Sequence, residues 1–209
     1  NIGLELSGHK KGEYQFLEPH DDLNMSQSTN DSYPTAIKVA LLMRHDRLTA
    51  ELRELVASFR RKGAEFLNIV KMGINVPKGY PEKCAAHLAK ITGKPFVMSS
   101  DMLAATWDQQ GFVVYSSALK SLAVKLAKIS SDLILLTSGP RAGLAEINLP
   151  ALQPGSSIMP GKVNPVVPEV VGIVAFRVMA NDYAVTLASH SGQLQLNAYE
   201  PLNGLSNIE

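Results

Sequence analysis

Eleven residues, Gly155-Ser156-Ser157-Ile158-Met159-Pro160-Gly161-Lys162-Val163-Asn164-Pro165, carry two hydroxyls, an ammonium and an amide. Two glycines and two prolines keep the stretch from forming a regular helix. Such groups on an irregular segment between helices can present donors and positive charge to an anionic ligand. An ordinary polar connection has the same composition, and composition alone does not separate the two readings. A phosphate-binding loop is excluded on three counts. Five residues separate Gly155 from Gly161, Val163 follows Lys162 where a metal-binding hydroxyl is required, and a helical pattern rather than a strand precedes the segment.

A second polar run, Asn24-Met25-Ser26-Gln27-Ser28-Thr29-Asn30-Asp31, stands ahead of a helical pattern. As residue types these are helix caps, and Pro34 just inside the helix suits that role. The same hydroxyls and amides beside unpaired N–H groups at a helix start also make an anion site.

The run from Gly155 to Pro165 resembles the signature of the aspartase/fumarase superfamily, whose members eliminate a group beta to a carboxylate and release fumarate. Ser26-Gln27-Ser28-Thr29-Asn30-Asp31 with Tyr33-Pro34-Thr35 is similar to a second active-site region of that superfamily. Three further stretches resemble its aspartate ammonia-lyase branch more than its fumarases: Ser138 to Pro150, Val166 to Val171, and Gly192-Gln193-Leu194-Gln195-Leu196-Asn197.

The resemblance implies removal of ammonia from L-aspartate to give fumarate. That reaction takes a weakly acidic C–H proton next to a carboxylate. Its carbanion is tolerable only when the charge moves onto that carboxylate as a dianionic aci form. The site therefore needs hydrogen-bond donors aimed at one carboxylate and a base aimed at the carbon. Ser28, Thr29 and Ser157 provide hydroxyls, and Lys162 with Asn164 suits the second carboxylate. By resemblance Ser156 is the general base, acting as an alkoxide on a mobile loop, and Asn30 holds the leaving amine. A lone serine is a poor base, so the role requires an electropositive, dehydrated pocket. Glu169 pairs with a side chain absent from this chain, or is a plain acidic residue at a helix start.

Composition bounds the rest. With 209 residues, 45% hydrophobic and 19% charged, the chain is long enough for one or two globular domains. A formal charge of +1 gives no long-range field toward nucleic acid or membrane. The single cysteine, Cys84, forbids an intrachain disulfide and suits a reducing cytoplasm. We expect no apolar run long enough to span a bilayer, and no cluster with metal-ligand spacing. No cofactor is expected, and divalent-cation activation stays open. His87 and His190 read as structural rather than catalytic.

The elements that must position these groups are helices. Ile37, Leu41, Leu48, Leu52, Leu55, Phe59 and Phe66 mark one face of a helix expected from about Pro34 to Lys71. A shorter helix around Cys84 to Lys90 should stop at Gly93. After an N-cap at Ser99-Ser100-Asp101, one helix should run to about Thr137, interrupted near Gly111. Its bundle seam would be Leu119, Leu122, Leu126, Ile129, Leu133 and Leu136. A third should open at Pro165 to Pro168 and reach about Ala188.

The expected fold is all-α, a long-helix bundle over 1–209 resembling the superfamily's central domain. Met72-Gly73-Ile74-Asn75 is a seam: before and after it the chain resembles segments that are not adjacent in the family, and a threonine-bearing site region falls between them. The resemblance implies a partial chain, with the family's N- and C-terminal domains mostly absent, and a homotetramer whose sites combine three chains. Two alternatives stand: a fumarase acting on malate, and a helical scaffold that has lost its chemistry.

Overall fold

The computed structural model describes residues 1–66, 77–155, 158–159 and 161–208, the side chains of His20, Thr29 and Phe66 excepted. Seven α-helices are found among the described residues: α1 (Ile2–Leu6), α2 (Thr29–Phe66), α3 (Tyr80–Thr92), α4 (Met102–Trp107), α5 (Gln110–Leu136), α6 (Val166–His190) and α7 (Glu200–Ile208). No strand occurs there; the β-type pairing is confined to two isolated bridges, Pro154 with Val163 and Gln193 with Leu196. The all-α expectation therefore holds. The chain divides into two compact units, Asn1–Gly73 and Ile74–Glu209.

In the first unit α1 buries Leu4 completely. Gly3 allows this close packing, because a Cβ there would lie 2.6 Å from Leu17 Cδ2. Glu13 to Asn30, expected as loop, contains a π-helical turn at Pro19–Leu23. Two acidic side chains hold it: Asp22 accepts from the Glu18 N–H at 2.7 Å and Glu18 from the Asp21 N–H at 2.6 Å.

The helix expected from Pro34 begins five residues earlier, at Thr29, and runs for 38 residues. A capping box explains the early start. Ser28 Oγ accepts from the Asn30 N–H at 3.1 Å, and the Asp31 carboxylate reaches back to the Ser28 N–H at 3.0 Å. Pro34 consequently lies inside α2, and the Asn30 carbonyl loses its intrahelical donor.

In the second unit α3 starts ahead of the expected Cys84 and ends at Gly93, whose φ of +66° suits glycine at a helix end. The helix expected from Asp101 to Thr137 is two helices. Asp101 caps α4, accepting from Leu103 N–H and Ala104 N–H, both at 3.0 Å. The break falls at Asp108-Gln109 rather than at Gly111. Asp108 adopts an extended backbone and its carboxylate accepts from the Gln110 N–H at 2.9 Å, a local bond that competes with helix continuation.

Helices α5 and α6 form an antiparallel pair, since Ser116 and Lys120 reach Asp182 while Ala123 and Leu126 lie beside Ala175 and Val170. Small and polar residues line their contact. Gln109, Ser116, Ala123 and Ser130 of the α5 side are all buried and step by seven. Pro168, Ala175 and Asp182 on α6 are buried with the same step. Leu122, Leu126 and Ile129, expected as the seam, remain 41–53% exposed and flank it instead. Small residues permit the close approach, and the leucines are displaced to its margin.

The polar pairs along this contact are satisfied from both helices. The Ser116 and Ser117 hydroxyls donate to Asp182 Oδ1 at 2.9 and 3.3 Å, and the Lys120 ammonium donates to Oδ2. Burial pushes the Asp182 carboxyl up, but the ammonium and the hydroxyls outweigh it and leave it below the ordinary aspartate range. Helix α7 docks through Asn203, fully buried, whose amide donates to Gln109 Oε1 at 3.3 Å and Ser189 Oγ at 3.1 Å.

Helix α6 corrects one expectation. Its 25 residues include an 18-residue window of mean hydropathy 1.4, so by length and composition it is apolar enough to cross a bilayer, alone among the described helices. Valine and alanine dominate it and hide the few charges. Those charges favour a bundle helix, because Asp182 is buried against Lys120 of α5 and a buried charge in hydrocarbon is costly.

Candidate active site

The candidate groups fall in two places, one in each compact unit. In the second unit the loop from Gly155 to Pro165 closes on itself. The Gly155 N–H donates to the Lys162 carbonyl at 2.6 Å, the Lys162 N–H donates to the Met159 carbonyl at 3.1 Å, and Pro154 bridges to Val163. Gly155 is required by this closure. A Cβ there would stand 2.9 Å from Asn164 Oδ1, 2.9 Å from Lys162 Cγ and 3.0 Å from the Lys162 carbonyl oxygen. Gly161 completes the turn with φ of +81°, a conformation that L side chains rarely adopt.

This closure brings Lys162 and Asn164 together beside the start of α6. The Lys162 ammonium is exposed and has no carboxylate partner among the described residues. Asn164 is half-buried, and its carbonyl accepts from the Val166 N–H at 2.9 Å. Helix α6 begins with Pro165 at the N-cap and no side-chain cap among the described residues. Its positive end therefore adds to the charge of Lys162. Glu169, exposed in the first turn, opposes part of that field and favours the helix dipole. Ser156 and Ser157, the expected base and carboxylate donor, lie outside the described residues.

In the first unit, Ser28, Thr29 and Asn30 gather at the start of α2. Capping occupies a lone pair of Ser28 Oγ, leaving its proton able to donate to a ligand. Asn24 stabilises the approach by donating to the Gln27 carbonyl at 2.9 Å and accepting from Ser32 Oγ at 3.1 Å. Ser26 holds φ of +63°, which is uncommon for a residue with a side chain and costs conformational energy. The Asn30 side chain is exposed.

Sequence reasoning missed two supports. Tight contact between Gly155 and Asn164 was not visible in the motif, although a glycine ahead of two hydroxyls was its only signal. Asp182 also escaped, since a lone acid in a valine-rich helix gives no hint of three donors on α5. Among the described residues no group of three or more His, Cys, Asp or Glu is placed to hold a metal.

Comparison with known proteins gives a consistent result. A family model described as lyase matches residues 1–74 and 73–180. The aspartate ammonia-lyase of Pseudomonas fluorescens is 46% identical over 253 positions, covering 97% of this chain and 53% of that protein. That of Escherichia coli K12 is 44% identical over 259 positions, covering 100% of this chain and 54% of that protein. The chain thus spans about half the length of the curated relatives it matches. Among solved structures, the fumarate lyase:delta crystallin from Brucella melitensis bound to cobalt is 41% identical with a TM-score of 0.60, covering 100% of this chain and 57% of that one.

Proposed function

Because the chain belongs to the lyase family, we propose that it is built for carbon–nitrogen elimination, taking ammonia from L-aspartate to give fumarate. The observation that carries this reading is the closed loop at the uncapped start of α6, with Gly155 packed against Asn164 and the Lys162 charge beside it. The 44–46% identity to enzymes named aspartate ammonia-lyase supports the substrate.

In this reading Lys162 and Asn164 bind one carboxylate of the substrate. Ser28, Thr29 and Ser157 donate to the other as it gains charge, and Asn30 holds the leaving amine. Ser156 takes a proton from the CH2 carbon next to the carboxylate that gains charge. The C–H bonding pair passes into that carboxylate as the aci dianion, then returns to form the fumarate double bond as the neighbouring C–N bond breaks and the substrate's ammonium group leaves as ammonia with the C–N bonding pair. Donors fixed before the reaction stabilise that dianion more than the ground state, which is the source of acceleration. Closure of the Gly155–Gly161 loop excludes water from the alkoxide. Glu169 tunes the field at the helix start.

The reading extends to assembly. The protein assembles as a homotetramer with shared sites, and the side chains of Val170, Ile173 and Phe176 along α6, 56–67% exposed, suit burial against further helices. The protein works in the cytoplasm without a resident cofactor, and a divalent cation acts at most as an activator. The segment that relatives carry at the Gly73–Ile74 junction holds the third set of substrate-binding groups.

Ultraviolet detection of fumarate, with L-aspartate and malate offered separately to protein of verified mass, tests the proposal. Fumarate from aspartate alone is the expected result. Fumarate from malate alone overturns it in favour of hydration chemistry, and fumarate from neither leaves an inert helical scaffold.

A further inference from the structure

Helix α7 docks with its polar face inward. Asn203 is fully buried and Ser206 and Asn207 are half-buried, while Leu205 and Ile208 are 61% and 84% exposed. Amides make the docking. Asn203 Nδ2 donates to Gln109 Oε1 and Ser189 Oγ, and Asn181 Nδ2 donates to the Ser206 carbonyl at 3.2 Å. Two buried acceptors, Asn203 Oδ1 and Asn207 Oδ1, meet no donor among the described residues. An unmet buried acceptor costs stability, so a helix seated in this way opens more readily than one held by apolar burial.

The residue after Asn203 is Gly204, and this is the single Asn-Gly pair in the sequence. Such a pair loses the asparagine side-chain amide most readily, because glycine has no side chain to keep its backbone nitrogen away from the asparagine Cγ. In that reaction the Gly204 nitrogen gives up its proton and bonds to Asn203 Cγ. The Cγ–Nδ2 bond breaks, and Nδ2 leaves as ammonia. Solvent water then opens the cyclic imide at either carbonyl and leaves aspartate or isoaspartate.

Docked α7 blocks the first step. Helical geometry directs the Gly204 N–H at the Glu200 carbonyl, and Gln109 and Ser189 hold the Asn203 amide. An open α7 has neither restraint. The product cannot dock again in the same way. Its carboxylate has lost the donor that Gln109 and Ser189 accept, it carries a charge into a fully buried position, and isoaspartate adds a backbone carbon that breaks the helical repeat.

We infer that Asn203 is a spontaneous deamidation site gated by α7: opening of the helix admits the reaction, and the reaction makes the release permanent. The inference goes beyond the proposed elimination and does not depend on its substrate.

The test is ageing of the intact chain in mildly alkaline buffer. Peptide mass spectrometry reads isoaspartate at position 203, and amide hydrogen exchange reads the opening of α7. Isoaspartate should build up at Asn203, and the α7 amides should lose protection with the same time course while those of α5 and α6 keep theirs. Gly204→Ala is the control. A Cβ there meets nothing within 4 Å, alanine favours the helix, and conversion should slow at least about tenfold. Equal rates in the two chains overturn the inference. Isoaspartate in a chain whose α7 stays protected also overturns it, because the modification then releases nothing. So does an Asn203 that is unchanged when the same segment as a free peptide has fully converted, since α7 then never opens far enough. Asn203→Asp gives the released state directly. An unprotected α7 beside an intact α5–α6 pair is the expected result, and an α7 protected as in the original chain overturns the release. If that variant loses its helical circular dichroism altogether, the ageing series decides, because that chain is folded at the start.

Discussion

The two helix starts that carry the candidate chemistry are held in opposite ways. At α2 the chain caps itself: Ser28 Oγ and the Asp31 carboxylate each accept a backbone N–H, and Asn24 ties down the approach. At α6 no described side chain caps the helix, and the loop before it is shaped by its own backbone and by a glycine with no room for a methyl group. A capped helix start is stable but has spent its acceptors. At α6 the Val166 N–H already reaches the Asn164 carbonyl, and Pro165 and Pro168 carry none, so what this start offers a ligand is its positive field rather than a row of N–H groups. In the proposed reaction the two starts meet different charges: Ser28 and Thr29 at α2 donate to the carboxylate that gains charge, and Lys162 and Asn164 hold the one that does not.

The largest expected break comes at the loop. Ser156→Ala should lower fumarate formation from aspartate by about a thousandfold or more, with an unchanged circular dichroism spectrum. Retained turnover in a folded variant removes Ser156 as the base.

Gly155→Ala follows. The new methyl group must displace Asn164 and Lys162, and a shift of that size in a binding pair costs about a hundredfold in turnover. Steady-state kinetics on the folded variant checks it, and wild-type rates would show that the closure does not matter to the chemistry.

Asp182→Ala tests the contact behind the loop rather than the loop. It strips three donors of their acceptor and should destabilise the second unit by about 2 kcal/mol, read by urea unfolding. Since the folded carboxyl lies below its ordinary value, this contact stabilises fully above about pH 4 and weakens as the pH falls through the depressed value. Unfolding followed from pH 5 downward should therefore show an acid-sensitive loss that Asp182→Ala lacks.

The smallest effect belongs to the self-capped start. Asp31→Ala removes one acceptor from an exposed cap and should cost about 1 kcal/mol of helix stability. A loss as large as that of Asp182→Ala would erase the distinction between the two regions.

Much of this was legible in residue types. The helical steps from Ile37 to Phe59 foretold α2, Gly93 foretold the end of α3, and the glycines and prolines of the loop foretold an irregular segment ahead of α6. What escaped depends on partners distant in the chain. Pro34 signalled a helix start in isolation, but the reciprocal bonds of Ser28 and Asp31 carried the helix past it. The leucines of α5 promised the seam because apolar side chains usually mark contacts. Close approach instead selected Ser116, Ala123 and Ser130, whose value lies in their small size and appears only when α6 is opposite. Asp182 gives no signal of its own in an apolar helix, and its role appears only when Ser116, Ser117 and Lys120 meet it. The mean hydropathy of α6 raised the same ambiguity from the other side, since bundle and bilayer helices share a composition.

The sevenfold spacing of the small residues has an evolutionary consequence. Each α-helical residue turns the chain by about 100°, so a single residue inserted between Ser116 and Ala123 would present Leu122 where Ala123 now meets α6, and a single deletion there would present Val124. Such a lineage loses the contact at once. Changes in gene length can therefore survive only in connections that bear no register, and α5 and α6 act as fixed rulers between which the rest of the chain is free to grow or shrink.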